Sequence, residues 1–307
     1  MKKVLITGIS GMVGRYLSEL LLNNGYEVAG LSRSDSKGYR HYTGDILDKE
    51  FLKKMFIDFT PDVVYHLAAQ SFNSRSWVAE DATYMTNIQG TRNVLDACRL
   101  YSPDTRFIPA CSCSEYGITH PRPMKEDNAL IPISPYGVTK VCVENMTRQY
   151  HLNYDMDVVI PRMFLLEGIG RPPLTAMQNF CMQFALCTLN RQGQQINCGA
   201  LKTERDFVDV RDGVKALLLL QERGVSGESY NICSGQAITM VRIIEMLQEQ
   251  LDMYETVAAV DPTYLRPSDE ALLVGDPSKI NKLGWFAQIP VEQTIIDIYN
   301  DWVIRLK

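Results

Sequence analysis

The feature that most limits how this chain can fold is an alternation of short, unbroken apolar runs with longer helical patterns. "KVLITG" (3–8), "YEVAGLS" (26–32), "DVVYHLAA" (62–69), "TRFIPACS" (105–112) and "MDVVIPRM" (156–163) are continuous apolar runs, not every-second-residue patterns. Such runs suit strands of a parallel sheet covered on both faces. Between them, 12–24, 47–58, 81–101 and 135–154 carry helical patterning. Strand, helix and strand at this spacing imply right-handed crossovers, so the expected fold is α/β with a doubly wound parallel sheet. Beyond about residue 165 the pattern loosens. A loop (168–175), a helix (176–192), a strand and helix (204–224), a strand (229–235), a helix (239–251) and a polar loop ending in a short strand (265–276) are expected there.

"ITGISGMVGRYL" then supplies chemistry at a defined place. Gly8, Gly11 and Gly14 follow the first strand and open the first helix. Glycines there allow a tight turn and close approach of the backbone to a pyrophosphate, whose charge meets the helix N-terminus. The fold class becomes a Rossmann-type sheet with a smaller C-terminal substrate-binding region. We expect residues 1–165 to form the dinucleotide-binding domain, with 204–235 returning to it, and 166–307 to form mainly the substrate region. At the end of the second strand, where NAD-selective folds carry an acid for the ribose hydroxyls, the chain reads Ser32, Arg33 and Ser34. A cation and hydroxyls suit a 2′-phosphate, so Arg33 is a candidate cofactor residue and NADP is expected over NAD. The other reading gives the acidic role to Asp35.

"SPYGVTK" places Tyr136 and Lys140 one helical turn apart on one face. A lysine so placed can lower a tyrosine pKa by its charge and can hold a nicotinamide ribose, making the phenol a usable acid or base. Bulk properties exclude other classes. A formal charge of −5 argues against nucleic-acid or anionic-membrane surfaces. No run approaches the roughly 20 apolar residues of a membrane span. "MKKVLITG" is too short an apolar run for a signal peptide, and a cytoplasmic enzyme is expected. The eight cysteines show no CxxC spacing and the four histidines are far apart, so buried cysteines and no metal site are expected.

The GxxGxxG spacing, with "TGDILD", "HLAAQ", "NIQGT" and YxxxK in order, resembles the extended short-chain dehydrogenase/reductases. "QSFNSRSW" (70–77), "ERDFVDVRD" (204–212), "YNICSG" (230–235) and "LRPSDEALLVGDPSKINKLGW" (265–285) are similar to the GDP-mannose branch of their nucleotide-sugar enzymes. The resemblance implies that Asp45 meets the adenine edge and that Ser112, five residues before Gly117, joins Tyr136 and Lys140 in a catalytic set. It also implies that Arg205 and Arg266 face the diphosphate and ribose of a GDP-linked sugar, though either arginine could instead serve a structural salt bridge.

The 4,6-dehydratases of this group place a proton-abstracting glutamate three residues before that glycine. Here that position is Ser114, and the glutamate stands one place later, as Glu115. Adjacent strand-end side chains point in opposite directions, which argues against dehydration unless a bulge intervenes. Ser114 and Glu115 are then candidates for shaping the sugar pocket, with Glu115 the candidate base if the reaction is dehydration or epimerisation. A second departure is Leu165 and Leu166, where the group carries asparagine and histidine. The implied activity is NADP-dependent reduction of a nucleotide-linked 4-keto-6-deoxyhexose, GDP-4-keto-6-deoxymannose to GDP-rhamnose. A 4,6-dehydratase or 4-epimerase with tightly held NAD(P) is the alternative, and a non-catalytic dinucleotide-binding module a third. A homodimer, through 81–101 and 135–154, follows from the resemblance alone.

Overall fold

In a computed structural model that describes residues 1–34 and 38–307, the apolar runs become adjacent parallel strands. Strands β1 (Lys3–Thr7), β2 (Glu27–Ser32), β3 (Arg40–Thr43), β4 (Val63–His66) and β5 (Arg106–Pro109) lie in the order β3-β2-β1-β4-β5. Strands β6 (Cys111–Ser112), β7 (Ile160–Met163) and β11 (Ser229–Ile232) continue the layer as β6-β7-β11. The two runs join where Phe107 N–H donates to Asp157 O at 2.8 Å and Val159 N–H to Phe107 O at 3.1 Å. Strand order reverses between β1 and β4, and a doubly wound sheet opens its ligand crevice at such a point.

Each face of the sheet has its own core. On one, Ile6, Tyr65 and Ile108 pack with Leu17 and Leu21 of the helix Met12–Asn23 and Leu217 and Leu220 of the helix Val210–Arg223. On the other, Leu5, Val64 and Phe107 meet Phe56 of the helix Lys49–Phe59, Val94 of Gly90–Tyr101 and Tyr150 of Pro135–Tyr154. This two-sided burial is why the strands read as continuous apolar runs.

A second, smaller layer carries β8 (Leu165–Glu167), β10 (Glu204–Asp209), β12 (Ala237–Thr239) and β14 (Leu272–Leu273), with β10 pairing to all three others. Strands β9 (Gln195–Cys198) and β13 (Val257–Val260) form a separate parallel pair. The helices Ala176–Thr188, Met240–Leu251 and Val291–Leu306 bury a third core around Phe180, Phe184, Ile243, Ile298 and Trp302.

One carboxylate ties the layers. Asp206 on β10, fully buried, accepts from Ser234 N–H (2.8 Å), Ser234 Oγ (2.6 Å) and Gly235 N–H (2.9 Å) just beyond β11. It also accepts from Gly275 N–H (3.3 Å) beyond β14.

The run 105–112 is interrupted at Ala110, and 81–101 is not one helix. A π-helical turn, Met85–Gln89, separates Glu80–Tyr84 from Gly90–Tyr101. That turn carries the buried Asn87, which accepts from Gln70 N–H at 2.8 Å and donates to Gln70 O (3.1 Å) and Thr139 Oγ1 (2.9 Å). The loop after β4 is thereby fixed to the helix bearing Tyr136. Among the described residues, no helix is long and apolar enough to cross a membrane.

Candidate active site

The turn after β1 has the form a dinucleotide needs. Gly8 has φ +74°, and a Cβ there would lie 2.7 Å from Ala68 N, so the ends of β1 and β4 close on a slot without side chains. A Cβ on Gly14 would come within 2.6 Å of Ile9 O, which lets the first helix sit directly on the turn. Gly11 caps that helix with no side-chain acceptor, leaving its first-turn N–H groups for an anion. These residues fit a pyrophosphate. Arg33 is exposed just past β2. Asp45 is exposed past β3 and accepts from Leu47 N–H at 2.9 Å. Asp35 lies outside the described residues.

Ser112, Tyr136 and Lys140 come together at the C-terminal edge of the sheet. Ser134 caps the long helix by accepting from Gly137 N–H at 3.1 Å, and Pro135 occupies its first turn. Tyr136 therefore stands at the head of the helix, facing the end of β6. Lys140, almost fully buried, donates to Ala110 O at 2.6 Å, and its Nζ lies 5.6 Å from the Tyr136 ring centroid. The interruption of the strand at Ala110 frees that carbonyl for the lysine. Lys140 does not dominate the phenol as the spacing suggested. Burial pushes the Tyr136 pKa above its ordinary value, more than the neighbouring Ser112 hydroxyl and Arg171 charge pull it down. The phenol is fully protonated at neutral pH. Burial in turn lowers the Lys140 pKa, against the nearby Cys111 and Glu115.

The stretch after Ser112 is not extended. Cys113–Glu115 forms a 3-10 turn, with Ser112 Oγ accepting from Ser114 N–H at 3.2 Å and Glu115 Oε1 accepting from Ser112 N–H at 2.8 Å. The alternation argument about adjacent strand residues thus gives way to a turn. Ser114 keeps slight exposure beside Ser112, whereas Glu115 is wholly buried and directed toward Arg162 and Glu144.

Arg205 and Arg266 converge on one acid. Arg205 Nη2 donates to Asp269 Oδ1 at 2.6 Å, and Arg266 Nη1 lies 3.5 Å from the same oxygen. Glu270 beside them is buried, 3.8 Å from Arg205. The sequence reading missed Asp269 as the shared partner, although "RPSDE" carries it. It also read Arg171 only as part of a loop. Arg171 donates to Leu166 O at 2.6 Å and to Glu167 Oε1 at 3.1 Å, and its charge reaches the Tyr136 phenol.

Leu166 packs in the core beside β10, and Leu165 lies between two apolar clusters, so both serve packing. All eight cysteines are unpaired, seven of them buried, as expected of apolar filler.

Crevice, glycine turn and Ser–Tyr–Lys set define an NAD(P)-dependent short-chain oxidoreductase of the nucleotide-sugar type. More narrowly, the chain belongs to the GDP-mannose 4,6-dehydratase family, which matches residues 5–298. It is 27% identical to the GDP-6-deoxy-D-mannose reductase of Pseudomonas aeruginosa over all of this chain and 99% of that one. It is 28% identical to the GDP-mannose 4,6-dehydratase of Yersinia enterocolitica over 95% of this chain and 91% of that one. Among solved structures, RMD from Pseudomonas aeruginosa complexed with NADPH superposes with a TM-score of 0.88 at 26% identity, covering 99% of this chain and all of that one. UDP-glucose 4-epimerase from Thermotoga maritima with UDP-glucose superposes at 0.89 and 25% identity, over 99% and 100%.

Proposed function

We propose that the protein is an NADP-dependent reductase of a GDP-linked 4-keto-6-deoxyhexose, converting GDP-4-keto-6-deoxymannose to GDP-rhamnose. The observation that carries this reading is the inward turn of Glu115. Ser112 and Ser114 keep slight exposure at the end of β6 and Tyr136 is partly exposed beside them, while Glu115, the carboxylate of this turn, is wholly buried and bonded to Ser112 N–H. Reduction needs a proton donor and no such base. Bound NADPH would supply the hydride. Tyr136, protonated at neutral pH, gives its proton to the sugar O4. Ser112 polarises the carbonyl before transfer, and Lys140 orients the nicotinamide ribose. Gly8, Gly11 and Gly14 hold the pyrophosphate, Asp45 the adenine edge and Arg33 the 2′-phosphate. Arg205 and Arg266 receive the substrate diphosphate in exchange for Asp269, with Ser114 on the sugar.

A 4,6-dehydratase or 4-epimerase is the second reading, favoured by the dehydratase relatives. Such an enzyme regenerates its cofactor each turnover and retains it. The deciding experiment measures the cofactor in freshly purified protein and then NADPH oxidation with GDP-4-keto-6-deoxymannose. Loosely held cofactor and substrate-dependent oxidation support the reductase. Stoichiometric retained cofactor with no net oxidation rejects it.

A cytoplasmic homodimer accompanies this reading. Eight free cysteines suit a reducing compartment. Met85, Leu100, Val138 and Leu152 leave apolar surface on the helices expected at the interface. Sedimentation equilibrium of the protein and of Leu152→Glu tests the dimer.

A further inference from the structure

Under the end of β6 lies a buried polar cluster that the reaction above does not use. Cys111 Sγ and the carboxyl oxygens of Glu115 and Glu144 lie within 4.8 Å of one another, and Arg162 closes the group from β7. All four residues are at most 3% exposed.

Its two acids are treated very differently. Glu144 has a full set of donors. Arg162 reaches Oε1 from Nη2 at 2.6 Å and Oε2 from Nε at 2.8 Å, Arg148 reaches Oε1 from Nη2 at 3.0 Å and from Nε at 3.2 Å, and Ser229 Oγ reaches it at 3.0 Å. Burial opposes its charge, but the Arg162 bonds overcome that and hold its pKa down to about 2. Glu144 is the charge partner of Arg162.

Among the described residues, Glu115 has one donor only. Its Oε1 accepts from Ser112 N–H, while its Oε2 is buried without a hydrogen-bond partner, 3.8 Å from Arg162 Nε. A carboxylate oxygen left so is costly. A proton on Oε2 removes the cost by making that oxygen a donor toward the Glu144 carboxylate. Burial first, and then the Glu144 charge, push the Glu115 pKa well above the usual carboxylate range. Neutrality also matters to Tyr136, because an ionised Glu115 makes its phenol harder to deprotonate.

We propose that Glu115 is a positioning residue: its carboxyl, sharing one proton with Glu144, clamps the Ser112 N–H and thereby aims the Ser112 hydroxyl at the reacting oxygen. It exchanges no proton with the sugar. The proposal rests on the reading of Ser112 as a substrate-orienting group.

Three forms of the full-length protein test it: wild type, Glu115→Gln and Glu115→Leu. A glutamine keeps an acceptor for Ser112 N–H and offers Glu144 an N–H donor, so it mimics a protonated glutamate. A leucine keeps the volume and loses both. Glu115→Leu should lose up to about 10²-fold in kcat through misplacement of Ser112, with KM little changed. Glu115→Gln should restore most of that loss. If Glu115→Gln is as inactive as Glu115→Leu, the side chain acts as a base and the proposal is overturned. Equal, near-wild-type kcat in both variants overturns it as well.

The assay uses whichever sugar reaction the wild type turns over, reduction or dehydration, so failure of the reductase reading shows in the wild type alone. The infrared carbonyl stretch of a protonated carboxylic acid reports the shared proton without turnover. The wild-type minus Glu115→Gln difference spectrum at neutral pH should show that stretch, and a difference spectrum without it sinks the shared proton. The same spectrum remains informative if Glu115→Leu does not fold.

Discussion

Tyr136 and Glu115 both lie beside the end of β6, one from the long helix and one from the turn that follows the strand, and burial acts on both by opposing their charged forms. For Tyr136 the outcome is a phenol that keeps its proton at neutral pH, as the proposed reduction requires of its proton donor. Tyr136→Phe should lower kcat by about 10²–10⁴-fold, the usual weight of a general acid, with NADPH affinity in a fluorescence titration unchanged. For Glu115 the outcome is a stability term with a definite sign. Its ordinary pKa is 4.5 and its folded value is raised, so above pH 4.5 the native state keeps a proton that the unfolded chain has released. That contribution is fully present below pH 4.5 and falls as pH rises toward the folded pKa. The Tm of wild type minus that of Glu115→Gln should therefore decline from pH 4.5 to pH 7, measured by calorimetry. A flat or rising difference contradicts a protonated Glu115. The letters "SPYGVTK" singled out Tyr136 and Lys140, and the family resemblance, counting back from Gly117, added Ser112; the structure places the three side by side. The inward direction of Glu115 was not legible. It depends on Arg162 and Glu144, remote in sequence, and on a turn where a strand end was expected.

Among the elements, the turn between β1 and the first helix is the most tightly specified. With a Cβ on Gly14 facing Ile9 backbone at 2.6 Å, Gly14→Ala must move the helix. It should cost about 1–3 kcal/mol in denaturant unfolding, the usual range for overpacking, and weaken NADPH binding as well. β8 shows how an element explains a departure. Leu166 pairs with Val208 of β10, and its side chain fills the space beside Gly213, where a Cβ would come 2.8 Å from Leu166 Cδ2. At that register an apolar residue is what the packing uses. Elements with weak local signals escaped the reading. β3 is "RHYT", polar and half-exposed, and forms only because β2 offers its edge. β9 and β13 depend on each other across some 60 residues: "QINC" is half polar, and "VAAV" is only four residues long with both ends exposed, so neither stands out alone. The helix Val291–Leu306 also went unread, although Ile295, Ile298 and Trp302 give it a buried face.

At the scale of the molecule, the chain passes between its two main layers more than once: from β7 to β8, and back through β10 to β11. Arg162 and Asp206 hold those passages. Arg162 bridges β7 to the helix Pro135–Tyr154 through Glu144 and meets the Tyr116 hydroxyl at 2.8 Å. Arg162→Met leaves the buried Glu144 with the part-exposed Arg148 as its one counter-charge among the described residues and should cost about 3–5 kcal/mol, read as a lowered denaturant midpoint. Asp206 joins the segments beyond β11 and β14 to β10 by four hydrogen bonds. Because those segments are laced to one side chain, neither layer can open to a protease while the other stays shut. Limited digestion of the wild type should pass from intact chain to small peptides without a persisting fragment. Asp206→Ala, which cuts the lacing, should let one half survive the first cleavages as a discrete band.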